Sequence, residues 1–517
     1  MVCFPFYPPH SMDFLGTNRQ KLRAVYSAKN HSLLRAKAAV VGLGAVLGYA
    51  AFRWGGVRRN DQFEFLLALG LLAIAWNAVS RGNTRAEQPD CGVRWAATLL
   101  PAYVLLQAVP LPLGAVRVAS PLRAQAVQAL EKIGVKQSFA ALSVSPAATF
   151  RSLLLVCGYV IVFLLVRELM ASFQESRWLL IWPIIAIATL EAGLGLCQNL
   201  GRTGEAPQWG TYANHNHYAG FLEMALPFAL VYPAAMLRRA RSPGNPPLRP
   251  VLAACGVWAL AGVIAVGIVQ SLSRMGFIAT LGSLFVMGML GFGYRQLGWF
   301  NASRKKRWGA AVLLATLLLA AFTFLPSEKF ILRFAELTSS DPTGGGRAQL
   351  WAETIPLIKA YPVLGCGLGG YETAFSKFKV SYPLVTDDYA HNDYLQLLAE
   401  LGLAGFLILA VPGFTLVRTA FKRAVTSGDH EERYFTVACA GSLSAILLHS
   451  LTDFNLYIPA NAMLLAWIAG IAAGSGSPNP CLFRDRASTL PGSPGRQLKS
   501  ILAVRGASGI RKANQSD

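Results

Sequence analysis

Ala390-His391-Asn392-Asp393-Tyr394-Leu395-Gln396-Leu397-Leu398-Ala399-Glu400-Leu401-Gly402-Leu403-Ala404-Gly405 places a histidine and two polar neighbours directly before a hydrophobic run. As a pattern it is His-Asn, nine residues, then Gly-x-x-Gly. A polar, titratable cluster at the mouth of an apolar helix is costly to build without a purpose. The depth at which that cluster sits, and what stands near it, decides the reading of the whole chain.

Working outward, the same apolar character recurs along the sequence. Of the 517 residues, 54% are hydrophobic and only 14% are charged, which is too apolar for a soluble chain of this length. A membrane span takes roughly 20 apolar residues, and about twelve such stretches can be drawn. They lie near 37–53, 62–79, 94–113, 150–167, 178–197, 217–236, 251–271, 275–293, 308–325, 400–418, 434–452 and 456–474. The predicted fold is an all-α membrane protein of about twelve transmembrane helices with one large, mainly helical periplasmic loop.

The formal charge of +21 raises nucleic acid as a partner, but its distribution argues against it. Lys21, Arg23, Arg35 and Lys37, then Arg238, Arg239, Arg241 and Arg249, then Arg304, Lys305, Lys306 and Arg307, then Arg418, Lys422 and Arg423 all fall on one side. The other side carries Arg202, Arg274 and an exceptional first turn with Arg53, Arg58 and Arg59. This is the positive-inside asymmetry, and it predicts an inner-membrane protein with both termini cytoplasmic. The basic excess then reads as topology and contact with anionic membrane lipid, with no nucleic acid involved. The eight cysteines are scattered without metal-type spacing, so no disulfide framework is expected.

The expected organisation is a basic, unstructured cytoplasmic segment at 1–36, spans one to nine at 37–325 and a periplasmic loop at 326–393. Spans ten to twelve follow at 394–475, and a disordered cytoplasmic tail at 476–517. Within the loop, Gly344-Gly345-Gly346 reads as a hinge-like break, and Leu350, Trp351, Ile355, Leu357 and Ile358 fall at helical spacing over 347–360. Pro362 and the glycines between Gly365 and Gly370 end that helix, and a second amphipathic helix is predicted over Tyr371 to Tyr382. The glycine cluster is turn chemistry: no strand precedes it and it faces away from cytoplasmic nucleotides.

With this topology, the unusual polar residues gather toward one face. Asn214, His215 and His217 open the sixth span, Glu223 lies two turns into it, and Glu191 is at similar depth in the fifth. Ser273-Arg274 forms a turn, Arg347 begins the loop helix, His391-Asn392-Asp393 ends the loop, and His449, Asp453 and Asn455 surround the last turn. One outward-opening polar cavity would collect them.

Asn392 is a good N-cap for a helix starting at Asp393. The positive end of that helix disfavours imidazolium, leaving His391 able to accept a proton as a general base, although a plain interfacial anchor would look the same. Arg274, charged in a short outside turn, suits a phosphate or diphosphate, or else snorkels to the headgroups. Arg347 carries the same phosphate reading, set against that of an ordinary loop arginine. His215 and His217 lack the partners of a metal site, so no metal or other cofactor is expected. Asn214 and His217 can hydrogen-bond a sugar or headgroup, or merely cap the helix. Glu191, Glu223 and Asp453 can line the cavity as cation partners or relay protons in a transporter.

Taken together these residues resemble the bacterial O-antigen ligase and polysaccharide polymerase superfamily. His391-Asn392 with Gly402 and Gly405 resembles the ligase signature at the end of the large periplasmic loop. Arg347 with Trp351, Pro362, Gly365, Cys366 and Gly367 resembles the loop's opening, Ser273-Arg274 the Ser-Arg element before a span, and Asn214 to Tyr218 an Asn/His-rich span start. The resemblance covers about 190–475. It departs after Gly405, where the family pattern has Thr and a further Gly and this chain has Phe406, Leu407, Ile408 and Leu409. Ligase, polymerase and protein O-oligosaccharyltransferase relatives therefore all remain open.

The resemblance implies a metal-independent glycosyltransferase that uses a glycan on undecaprenyl diphosphate as donor. The acceptor would be the hydroxyl of lipid A core, a growing glycan or a protein. His391 would act as base and Arg274 and Arg347 as holders of the diphosphate, with Asn214, His217, Asn392, Asp393, Glu223 and Asp453 toward the substrate. A transporter or flippase of lipid-linked sugars, using Glu191 and Glu223, is the rival class. A non-catalytic assembly protein docking through its large loop is a third.

Overall fold

A computed structural model describes residues 33–80, 91–173, 177–200, 208–240, 248–292, 342–381 and 386–474. The predicted ninth span at 308–325, the N-terminal segment up to 32 and the tail after 474 lie outside the described residues, as does the first part of the large loop.

In chain order the helices are α1 (Leu33–Phe52), α2 (Arg59–Ser80), α3 (Cys91–Ala108), α4 (Leu113–Ala119), α5 (Pro121–Glu131), α6 (Pro146–Ser172), α7 (Trp182–Asn199), α8 (His215–Arg239), α9 (Leu248–Gln270) and α10 (Arg274–Phe292). They continue with α11 (Pro342–Ala360), α12 (Tyr371–Phe375), α13 (Asp393–Thr426), α14 (His430–His449) and α15 (Pro459–Gly474). Two three-residue strands, β1 (Pro110–Pro112) and β2 (Phe139–Ala141), pair antiparallel with Leu111 opposite Ala140.

Eight of these helices are long and apolar enough to cross a membrane: α1, α2, α6, α7 with the turn before it, α8, α9, α10 and α13. Helices coincide with eleven of the twelve predicted stretches, but α15 and the apolar part of α3 are shorter, and α14 carries Glu431, Glu432 and Arg433 in its first turn. Large apolar side chains remain exposed around the bundle, among them Leu67, Leu71, Ile74, Phe285, Met289, Val411 and Phe414. A ring of that kind has no place in water and fits a multi-pass membrane protein.

Helix α8 is the centre of the bundle. Its side chains from Asn216 to Ala229 are all buried, and it packs against α9, α14, α10 and α7. Phe221, Phe228, Phe435 and Trp467 join Leu43, Phe65 and Ile184 in one continuous core. Helix α14 lies between α8, α10 and α13, so the last turn before α15 is delivered to the end of the bundle where α8, α10 and α13 begin.

That end is capped by a layer built from two loops, where the sequence pointed to one. Residues 110–149 form the β1–β2 pair with α4 and α5 around Val116, Ala124, Val127 and Leu142. They meet the glycine-rich segment of the large loop, where Val144 N donates to Cys366 O at 2.9 Å. Gly367 (φ +101°) faces Ser143 so closely that a Cβ would stand 2.2 Å from its Oγ.

Two expectations for the large loop are corrected. Helix α11 runs through Gly344-Gly345-Gly346 from Pro342, so the glycines do not break it. The second helix is five residues long and ends at Phe375, not Tyr382. Tyr371 and Phe375 stack at 5.0 Å between ring centroids, and this packing consumes the apolar face that the longer helix would have needed.

Helix α13 carries the opening motif, and the motif's glycines have a backbone role. Gly402 sits at φ +62°, ψ −176°, breaking the helix in its upper third. The carbonyls and amides freed there pair with the glycine segment: Cys366 N with Ala399 O and Gly367 N with Glu400 O, each at 2.9 Å. Leu403 N and Ala404 N donate to Pro362 O and Val363 O at 2.9 and 3.0 Å. Gln107 seals the join by donating to Leu364 O and Glu400 O at 2.7 and 2.9 Å. An opened helix inside a membrane protein is tolerated only when its backbone is satisfied in this way.

Candidate functional site

The site forms where the turn after α14 meets the starts of α8, α11 and α13. Asn392 caps α13, as its sequence position predicts: its side-chain oxygen accepts from Tyr394 N and Leu395 N at 3.0 and 3.1 Å. Its amide nitrogen donates to Leu451 O at 2.9 Å, tying the cap to the last turn. Asp393, fully buried, takes the Ser450 hydroxyl at 2.7 Å and faces Leu456 N, while its own N–H meets Ser450 O and Asp453 O. Asn392 and Asp393 thus clamp two chain segments together.

At the centre is Asp453, 1% exposed. One carboxylate oxygen lies 3.5 Å from His217 Nε2 and 3.6 Å from His391 Nδ1, and the other lies 4.0 Å from Arg347 Nη2. The imidazoles stand at or just past hydrogen-bonding distance, close enough for strong electrostatic coupling. Burial alone would raise the Asp453 carboxyl, yet the two histidines, with the charge of His449 added, hold it well below the usual carboxylate range.

Phe454 completes the frame. His217 and His391 meet its ring edge-on at centroid distances of 4.5 and 4.8 Å, and Tyr389 stacks on it at 4.0 Å. The His391 side chain keeps 34% of its surface exposed and that of Arg347 keeps 35%, whereas the carboxylate between them is sealed. His391 also has a left-handed backbone, φ +48°. Ala390 before it is fixed on both sides, its N–H by Gln396 and its carbonyl by the Trp351 indole.

Other expected residues take supporting positions. Asn214 caps α8 through Asn216 N. His215 Nδ1 lies 3.2 Å from Ser271 O, in the turn that ends at Ser273-Arg274. Leu272 in that turn is again left-handed, φ +56°, and Arg274, half-exposed, opens α10. The structure therefore brings His217, Arg347, His391 and Asp453 together, while Arg274 follows the turn whose Ser271 carbonyl meets His215. Glu223 is buried against His449, and Glu191 is taken up by Thr211, whose N–H and hydroxyl reach it at 3.0 and 2.7 Å.

His215 and His217 face different partners, and among the described residues no group of three His, Cys, Asp or Glu side chains could hold a metal ion. Several residues escaped sequence reasoning: Gln107, Glu400, Tyr389 and Phe454. Glu400 accepts from Tyr371 N and from the Tyr457 hydroxyl at 3.1 and 2.8 Å, joining α12 to the last turn beneath the site. A carboxylate in an apolar run was the available signal for Glu400, whereas Phe454 offered none.

Fold and site together define a multi-pass membrane protein with a histidine–carboxylate–arginine cluster at one end of its bundle. Residues 259–410 match the model of a family described as O-antigen ligase, which supports a place for the chain in the O-antigen ligase superfamily. The match is narrower than the 190–475 resemblance; it includes Arg274, Arg347 and His391 and stops before Asp453. No curated protein matches the chain.

Proposed function

We propose that this chain is a glycosyltransferase of the O-antigen ligase or polymerase type, taking a glycan from undecaprenyl diphosphate to an acceptor hydroxyl at the periplasmic face of the inner membrane. The observation that carries this reading is the buried Asp453 carboxylate with His391 on one oxygen and Arg347 near the other. A carboxylate beside Nδ1 favours the tautomer with hydrogen on that nitrogen and leaves Nε2 to receive a proton. The acceptor hydroxyl gives its proton to Nε2 of His391 as its oxygen attacks the anomeric carbon. The bond from that carbon to the diphosphate breaks, and Arg347 and Arg274 hold the charge that develops on the leaving group.

The exposure pattern supports these roles, because the groups assigned to substrate are open and those assigned to support are sealed. Of the six residues expected toward the substrate, His217, Asn392, Asp393, Glu223 and Asp453 then act from beneath, and Asn214 from the neighbouring cap. The two carboxylates a transporter would use for coupling, Glu191 and Glu223, are already committed to Thr211 and His449.

Purified protein in lipid vesicles, given a lipid-linked glycan and a hydroxyl acceptor, tests the reading. The wild-type chain should yield transferred or lengthened glycan and release undecaprenyl diphosphate. His391→Ala should lose transfer while inserting and accumulating normally, and transfer at the wild-type rate in that variant would sink the assignment of the base.

A further inference from the structure

Below Asp453 lies a second imidazole–carboxylate pair. Glu223, two turns into α8, and His449, the last residue of α14, both have fully buried side chains. Nδ1 of His449 stands 3.0 and 3.1 Å from the two oxygens of Glu223. Sealing two such groups in an apolar bundle carries a desolvation cost that one ion pair repays only with good geometry, so the pair calls for a reason beyond stability. Its placement supplies one: His449 begins the turn that delivers Asp453 to His391, and Thr452 N donates to His449 O at 3.0 Å within that turn.

We propose that Glu223 and His449 are positioning residues for His391. Glu223 fixes the His449 ring through Nδ1, His449 anchors the start of the turn that carries Asp453, and Asp453 turns Nδ1 of His391 toward itself and Nε2 toward the acceptor. This rests on the reading of His391 as the base. No proton travels along the chain of groups: the one taken from the acceptor stays on Nε2 of His391 until it leaves to water or to the departing diphosphate. The charged and titratable groups around this core are Asp453 and Asp393 facing His449, and His217, His391 and Arg347 facing Asp453. Arg274 stands at the head of α10, which packs along α14.

Glu223→Gln keeps the size of the side chain and an oxygen for Nδ1–H while removing the charge. In the vesicle assay its kcat should fall about tenfold with KM unchanged, the low end of the loss seen when an outer supporting partner is removed. The pH profile of kcat should be displaced, and Glu223→Asp should restore part of the rate. A folded Glu223→Gln with wild-type kcat and pH profile, beside an active wild type and an inactive His391→Ala, overturns the positioning role alone. An inactive wild type, or an active His391→Ala, overturns the functional reading beneath it.

A second measurement reads the ring of the wild-type chain directly. In nitrogen-15 histidine spectra, with the His391 signal identified by its absence in His391→Ala, the ring should carry hydrogen on Nδ1. Hydrogen on Nε2 in the neutral ring overturns the proposal.

Discussion

His391 holds a left-handed backbone without being glycine, at a strain of about 1 kcal/mol, and keeps it because Gln396, Trp351 and the Asn392 cap fix the chain on both sides. Such strain is retained where a ring must be aimed. Arg347 works differently: its planar fork matches a diphosphate, which a lysine ammonium meets only as a point charge. Arg347→Ala should therefore lower kcat about 100-fold and Arg347→Lys about 10-fold, read as initial rates of glycan transfer. Asp453 belongs to the same scale. Its carboxyl is held below the usual range, so its contribution to stability is complete above the unfolded aspartate value near 4 and is lost as pH falls through the lower folded value. The gap in melting temperature between wild type and Asp453→Asn should be present at about pH 5 and close as pH falls below about 4. A gap unchanged from pH 5 down to about pH 2 would show that this carboxylate does not govern it.

Among the elements, α13 decides most. A Cβ at Gly402 would stand 2.4 Å from both Gly365 N and Val363 O, and one at Gly365 would stand 2.1 Å from Glu400 O. Both positions also have positive φ. Gly402→Ala and Gly365→Ala should each cost on the order of 3 kcal/mol, seen as a lower melting temperature in detergent, whereas Gly413→Ala, with open space around it, should melt like wild type. Local sequence showed part of this. The Asn392 and Asn214 caps were legible because capping is a short-range affair of one side chain and two amides. The spacing from His391 to Gly402 was legible as a pattern, but its cause was not, since the glycine segment that fills the helix break lies more than thirty residues earlier in the chain. For the same reason the Tyr371 helix was overestimated: its apolar residues spend themselves on stacking, which periodicity does not reveal.

Across the whole molecule, hydropathy located the eight helices long and apolar enough to cross a membrane because a bilayer imposes one length scale on all of them. Which loops share an end was harder to read. The sequence marked one large loop, yet the layer over the site also needs residues 110–149, brought in by Gln107, Val144 and Ser143. The position of Asp453 at the centre also followed only from packing, because α14 places it against helices that begin far away in sequence. With the eight cysteines replaced, Lys136→Cys and Gly428→Cys, both exposed, test the two ends. An impermeant thiol reagent added outside spheroplasts should label the first and spare the second, and the reverse pattern would invert the orientation proposed for the site.

The break at Gly402 divides α13 into unequal pieces. The lower piece runs about 24 Å at helical rise from Leu403 to Arg418, the first of its cytoplasmic-side charges, most of a hydrocarbon layer of about 30 Å. About one turn of the upper piece would complete such a crossing, and His391, roughly 15 Å beyond the break, would stand about 9 Å above the acyl chains. That height is about the outer edge of the headgroup zone, where on the proposed function the diphosphate of a membrane-anchored donor would ride. A donor could thus be met at its natural depth, its isoprenoid tail never leaving the lipid.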